Sequence, residues 1–261
     1  MDIDFTGRNV VVTGGSKGIG LACAQTFAAR GARVAIVSRS RANLEAAIGT
    51  FGRSAHRPVA IAADLVDADA AARAIAEAEA ATGPVDVLVN SAGAAKRYAP
   101  DDLNAGAWHA AMDAKFFSYI HALDAVLARM VARGRGAIVN IIGSGGKVAS
   151  PVHLPGGAAN AALMLATVGL AAAYGPRGIR INGINPGQTM TGRVQEGLAA
   201  EARMTGRSPD ELLTAARERI PLKRIGTPEE VAQVALFLAS DLASYVTGAI
   251  VPMDGGAGSM I

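Results

Sequence analysis

The stretch VVVTGGSKGIG, residues 10–20, decides how the rest of the chain is read. Three valines and a threonine form a short β-branched run, which suits a strand buried on both faces. Glycines follow at positions 14, 15, 18 and 20, and then an Ala- and Leu-rich segment long enough for a helix. Gly14, Gly18 and Gly20 are spaced G-x-x-x-G-x-G. Glycines there let the backbone bend sharply and approach an anion at a helix N-terminus, where unpaired N–H groups and the helix dipole favour negative charge. Strand, glycine turn and helix in this order predict a pyrophosphate site of the dinucleotide-binding kind.

The same alternation continues outward. Strands are expected at 9–13, 33–38, 59–62, 85–90, 137–142, 179–184 and 250–253, and helices near 18–30, 41–51, 67–82, 105–133, 156–174 and 228–240. Strands that are apolar throughout and separated by helices predict an α/β Rossmann fold, a doubly wound parallel sheet, here as one domain over 1–261. Gly31, Gly83 and Gly178 fall just past helix ends, where a left-handed cap is wanted. Residues 188–224 break the rhythm, being polar, helical in pattern and followed by no immediate strand. Such an insertion is either a lid over a ligand crevice or a passive surface hairpin.

Composition narrows the class. The chain has 261 residues, 51% of them hydrophobic but only 4% aromatic, so Ala, Val, Ile and Leu supply its core. Its formal charge of +3 comes from dispersed basic residues, which gives no stripe for nucleic acid. The single cysteine, Cys23, excludes an intramolecular disulfide and a Cys-rich metal site, and reads as a small core residue; no metal is expected. The acidic start MDIDFTGRNVVVTGG is unlike a targeting peptide. Apolar runs are interrupted well short of ~18 residues, so no membrane span is expected and the protein reads as cytoplasmic.

The second strand ends AIVSRS, placing Ser38 and Arg39 where an acidic residue would hold a ribose 2′-hydroxyl. A guanidinium at Arg39 suits a 2′-phosphate, and Lys17 in the glycine loop adds a second cation. NADP(H) is therefore favoured over NAD(H); the bland alternative is two solvated surface charges.

The motifs TGGSKGIG (13–20), AADL (62–65), NSAG (90–93), GAIVNI (136–141), RGIRINGINPG (177–187) and YVTGAIVPMDGG (245–256) resemble the classical short-chain dehydrogenase/reductase family over essentially the whole chain. The resemblance implies seven strands in the order 3-2-1-4-5-6-7, a homotetramer or homodimer, and NAD(P)(H)-dependent chemistry on a small-molecule carbonyl or alcohol. It places Gly14, Ser16, Lys17, Gly18, Ile19 and Gly20 at the phosphates and Asp64 and Leu65 near the adenine. Asn90, Ala92 and Gly93 then run along the cofactor, and Pro186, Gly187, Thr189 and Thr191 surround the nicotinamide end.

In that family a Tyr exchanges the proton of the carbonyl/alcohol, and a Lys four residues on holds the ribose. A Ser thirteen residues before the Tyr polarises the carbonyl, and an Asn in the preceding helix anchors a water relay. Aligning GGAANAAL with Y-x-x-x-K-A-A-L puts Gly156 at the Tyr and Asn160 at the Lys. Gly143 falls at the Ser with Ser144 adjacent, and Lys115 in MDAKFF falls at the Asn. Loss of a positioned proton donor costs about 10²–10⁴ in rate. The missing ammonium, at ~5 Å and an effective dielectric of ~20, corresponds to about 3 kcal/mol.

Four side chains are left as catalytic candidates. Lys115 is a proton relay, or a lysine reaching a carbonyl or a subunit interface. Ser144 donates to the substrate oxygen, or caps its own loop. His153 is the natural acid near neutral pH, or an ordinary loop histidine. Asn160 hydrogen-bonds a ribose hydroxyl. Tyr98 and Tyr119 bring a phenol near the same place, or pack. Lid arginines 193, 203, 207, 217 and 219 favour an acidic or acyl-thioester substrate, or form a solvated face. Three functions stay open: an NADP(H)-preferring oxidoreductase with non-standard proton transfer, a cofactor-binding scaffold or redox-sensing subunit, and an isomerisation or elimination beside a bound nicotinamide.

Overall fold

Val10 and Val12 pack on one side of the central sheet and Val11 on the other. The alternation is that of a strand covered on both faces. The computed structural model describes residues 3–258 apart from 53–55 and 94–95, with the side chains of residues 193, 200 and 204 also outside the description. In chain order the elements are β1 (Asn9–Thr13), α1 (Gly18–Ala29), β2 (Arg33–Ser38), α2 (Arg41–Ile48), β3 (Val59–Ala62) and α3 (Ala68–Thr82). Then come β4 (Val87–Asn90), α4 (Ala105–Ala111), a π-helical segment (Met112–Phe117), α5 (Ser118–Arg133), β5 (Gly136–Ile141) and α6 (Leu154–Tyr174). The chain closes with β6 (Ile179–Pro186), α7 (Gly192–Thr205), α8 (Pro209–Glu218), α9 (Pro228–Ala239) and β7 (Ile250–Met253).

The strands form one parallel sheet in the order β3-β2-β1-β4-β5-β6-β7, as the resemblance implied. One apolar layer joins Phe27 of α1, Leu44 of α2 and Leu236 of α9 to the sheet. The opposite layer joins Ile75 of α3, Leu123 of α5 and Ala171 of α6. Full burial of such side chains stabilises the fold by about 1.5–3 kcal/mol each. Cys23 lies in the first layer, and burial pushes its thiol up to about 12, well away from reactivity. Gly31, Gly83 and Gly178 all have positive φ; Gly178 is the left-handed cap expected, whereas Gly83, at φ 103° and ψ 177°, is not left-handed.

Three expectations are corrected. The helix read over 105–133 is interrupted by the π-helical Met112–Phe117, on which Gly93 of the loop after β4 packs closely, as described below. The strand read over 85–90 begins only at Val87. Finally, the stretch Leu154–Arg177 is long and apolar enough to cross a membrane by length and composition, with a mean hydropathy of 1.5, where no such helix was expected. In the fold this helix packs along β6 and the π segment and buries Asn160 and Thr167, with about a third of its apolar stretch buried.

Candidate active site

Register brings Thr13, Asn90 and Asn140 side by side at the C-terminal edge of the sheet. The Thr13 hydroxyl donates to Asn90 Oδ1 at 3.3 Å, and Asn90 Nδ2 donates to Asn140 Oδ1 at 3.1 Å. Asn140 Nδ2 in turn donates to Thr167 on α6 at 2.9 Å. Buried polar groups in a low-dielectric interior must be paired in this way. Asn90 is fully buried, with its amide oxygen accepting from Thr13 and its amide nitrogen donating to Asn140. Ala92 is half-buried, and its N–H donates to the Thr13 hydroxyl.

Above this row lies the glycine loop. Gly14 has φ 66°, and a Cβ there would stand 2.7 Å from the Ser91 carbonyl oxygen. On Gly20 a Cβ would stand 2.3 Å from the Gly14 carbonyl oxygen. Only glycine fits either position. Lys17 is the N-cap of α1 and provides no side-chain cap, unlike Ser40, Asp67 and Thr227 at three other helices. The first N–H groups of α1 thus stay available to an anion. Ser16 and Ile19 are half-buried. Lys17 and Arg39 are exposed, and their side chains have no hydrogen-bond or ion-pair partner among the described residues. Asp64 is exposed and accepts from the Val66 N–H at 3.2 Å, while Leu65 is buried.

Gly93 has φ 113°, and a Cβ there would lie 2.3 Å from the Ala114 carbonyl oxygen. Gly93 thus packs directly on the π segment, a distortion that often marks functional sites. Lys115 on that segment is buried, and its ammonium donates to the Tyr119 hydroxyl at 2.9 Å and to the Ile141 carbonyl at 3.0 Å. The ammonium also lies 4.5 Å from the centre of the Tyr119 ring, a favourable cation–π arrangement. The Tyr119 hydroxyl donates to the same Ile141 carbonyl. Burial pushes its phenol up, so Tyr119 keeps its proton and holds Lys115 in place.

Ser144 opens a short 3₁₀ turn (Ser144–Gly146) after β5, half-buried, with its hydroxyl in no hydrogen bond among the described residues. His153 precedes α6 as its N-cap residue. A Cβ on Gly145 would lie 3.3 Å from His153 Cδ2 and 3.6 Å from Asn160 Nδ2, so the ring and the amide flank one glycine. Asn160 Oδ1 and His153 Nδ1 are buried without a partner among the described residues. Burial, then the charges of Arg97 and Lys115, hold the His153 pKa below its ordinary value. Gly143 has φ 131°, and a Cβ there would stand 3.1 Å from Asn160 Nδ2.

Tyr98, weighed in the sequence as a phenol donor, contributes its backbone: its N–H donates to the Val152 carbonyl at 3.1 Å. Sequence reasoning passed over its neighbour Arg97, whose signal was the pair of cations in AAKRY just after NSAG. Pro186 and Thr189 are buried and Gly187 is half-buried. A Cβ on Gly18 would lie 3.3 Å from Thr191 Cγ2, which seats the start of α7 on the glycine loop. Backbone bonds from Met190 N–H to Gly226 and from Gly226 N–H to Gln188 clasp the base of the α7–α8 excursion. Arg203, Arg207, Arg217 and Arg219 are exposed on it, and the Arg193 side chain lies outside the described residues.

A separate cavity of about 140 Å³ lies at the N-terminal edge of the sheet. Its charges neutralise one another: Arg8 meets Asp241 at 3.1 Å, Arg135 meets Asp86 at 3.4 Å, and Arg180 is spent on the carbonyls of Leu238, Ser240 and Val246. Ligands of such sheets bind at the opposite edge, beyond the strand C-termini.

The family model described as enoyl-(acyl carrier protein) reductase matches residues 14–258. Galactitol 2-dehydrogenase (L-tagatose-forming) of Cereibacter sphaeroides is 38% identical over 252 residues, covering 96% of this chain and 94% of that protein. L-Sorbose reductase from Gluconobacter frateurii, solved with NADPH and L-sorbose, superposes with a TM-score of 0.93 at 27% identity over 100% of both chains. An NADPH-bound short chain oxidoreductase from Pseudomonas aeruginosa PAO1, described as containing an atypical catalytic center, superposes with a TM-score of 0.89. It is 32% identical over 99% of this chain and 100% of that one. Sequence, sheet order and glycine loop agree: the chain belongs to the short-chain dehydrogenase/reductase family.

Proposed function

We propose that the protein is an NADP(H)-dependent oxidoreductase for a small carbonyl or alcohol, with a proton path that uses no tyrosine. The observation that carries this reading is the glycine loop. Gly14 and Gly20 sit where a side chain would strike backbone, beside a helix N-terminus without a side-chain cap. Those residues fit a dinucleotide diphosphate, and the exposed cations Lys17 and Arg39 suit a 2′-phosphate. Relatives solved with NADPH support the same choice.

Bound there, the nicotinamide ring supplies the hydride acceptor or donor. The chain's own part is to hold the dinucleotide, present the substrate oxygen and move one proton at that oxygen. In the family alignment Gly156, Asn160, Gly143 and Lys115 take the places of the Tyr, Lys, Ser and Asn. Gly143 cannot be a relaxed serine position, because its φ of 131° strains any L side chain. Asn160 offers its open Oδ1 to a hydroxyl, and Ser144 offers a hydroxyl not engaged by the described residues. Lys115 serves as a fixed positive charge behind β5, held by Tyr119 and Ile141. His153, with its pKa lowered, stands neutral at pH 7 and accepts the alcohol proton during oxidation.

Paired fluorescence titrations test the cofactor assignment. NADPH should bind at least about tenfold more tightly than NADH, a difference of ~1.4 kcal/mol, and Arg39→Ala should erase most of that preference. Binding of neither nucleotide would remove the oxidoreductase reading and leave a structural relic of the fold.

A second reading, a cofactor-binding scaffold without catalysis, is favoured by the bare Gly156 and Gly143. It shares the titration result and parts from the first on hydride transfer. The reading extends to self-assembly and is supported by the outward face of α6, where Leu165 is 78% exposed and Val168 is 44% exposed among small residues. Such a face supports a homotetramer of the family type. Sedimentation of the purified chain is expected at four times the monomer mass, and a monomer would contradict it.

A further inference from the structure

The Tyr98–Val152 backbone bond ties the loop after β4 to the loop entering α6. Arg97 and His153 stand one residue beyond that bond, on either side of it. Arg97 is exposed, and its guanidinium has no hydrogen-bond or ion-pair partner among the described residues. Lys96 beside it and Lys147 on the loop after β5 are exposed as well. Behind His153, Lys115 is fixed by Tyr119 and Ile141, so its charge keeps its place. The charges that act on the imidazole are Arg97 and Lys115, both cations. Asn160, 6% exposed, adds an acceptor oxygen without a partner among the described residues on the same side of Gly145.

Two cations acting on one imidazole raise the local potential there and favour an anion. A neutral polyol has no use for this field. A planar guanidinium matches a carboxylate through two parallel hydrogen bonds.

We propose that the substrate is an oxo or hydroxy acid whose carboxylate is gripped by Arg97 while its carbonyl or alcohol faces His153 and Asn160. This rests on the oxidoreductase reading above and names its substrate class. The lid arginines are not needed for it.

Calorimetric titration of the NADPH complex tests the site with acetoacetate against methyl acetoacetate, and levulinate against methyl levulinate. Each pair keeps the ketone and removes the charge. At least one acid is expected to bind about tenfold more tightly than its ester, with the advantage shrinking as salt is raised. Arg97→Ala should abolish that advantage and Arg97→Lys should keep much of it. Equal binding of acid and ester, no binding of either acid, or an advantage that survives Arg97→Ala would overturn the proposal. Titration with NADPH alone separates the two levels. A wild-type chain that fails to bind NADPH defeats the oxidoreductase reading, whereas NADPH binding without acid preference defeats only the carboxylate site.

Discussion

Replacement of His153 by alanine is expected to lower kcat/KM for alcohol oxidation by about 10²–10⁴ and to flatten its pH profile. Burial and the cations Arg97 and Lys115 lower the His153 pKa from 6.5, so the ring is neutral at pH 7 and ready to accept a proton. Oxidation should therefore be fully active at neutral pH and be lost as pH falls through a pKa below the ordinary histidine value. Moving that inflection is the readout a merely structural histidine would not give. An unchanged rate and profile in His153→Ala and His153→Gln would leave Ser144 or a bound water as the proton carrier.

Gly20→Ala is expected to weaken NADPH binding by about 10- to 100-fold. The new methyl would stand 2.3 Å from the Gly14 carbonyl oxygen, so the start of α1 must move away from the turn it completes. Overpacking of this kind costs about 1–3 kcal/mol, which converts to that range of affinity if it falls on the cradle. Gly197→Ala is the control: it lies within α7 with nothing inside 4 Å of the added atom. NADPH affinity unchanged in Gly20→Ala would show that the first turn of α1 does not hold the phosphates.

The sheet and its glycine loop were legible because each depends on short stretches. Val10, Val11 and Val12 declare a doubly covered strand, and Gly20 is demanded by the Gly14 carbonyl six residues back, although Gly14 itself answers to the distant Ser91. What stayed hidden depends on contacts between distant segments. The π segment lies against Gly93 of a distant loop, and its apolar pattern matches that of a plain helix, so periodicity alone reads straight through it. The sequence could not show that register sets Asn90 beside Thr13 and Asn140, to which its amide is bonded. Arg97 is brought near His153 by the Tyr98–Val152 bond, which joins segments more than fifty residues apart. The apolar character of α6 was visible, but its division into a buried face with Asn160 and Thr167 and an outward face with Leu165 was not.

The most direct measurement is deuterium transfer from NADPH labelled at the nicotinamide C4 to a panel of ketones that includes L-tagatose, L-sorbose, acetoacetate and levulinate. An oxidoreductase with this site is expected to deliver the label to the carbinol carbon of at least one product, with a rate that falls in His153→Ala. Tight NADPH binding with no label in any product would contradict it and make the chain a cofactor-binding scaffold.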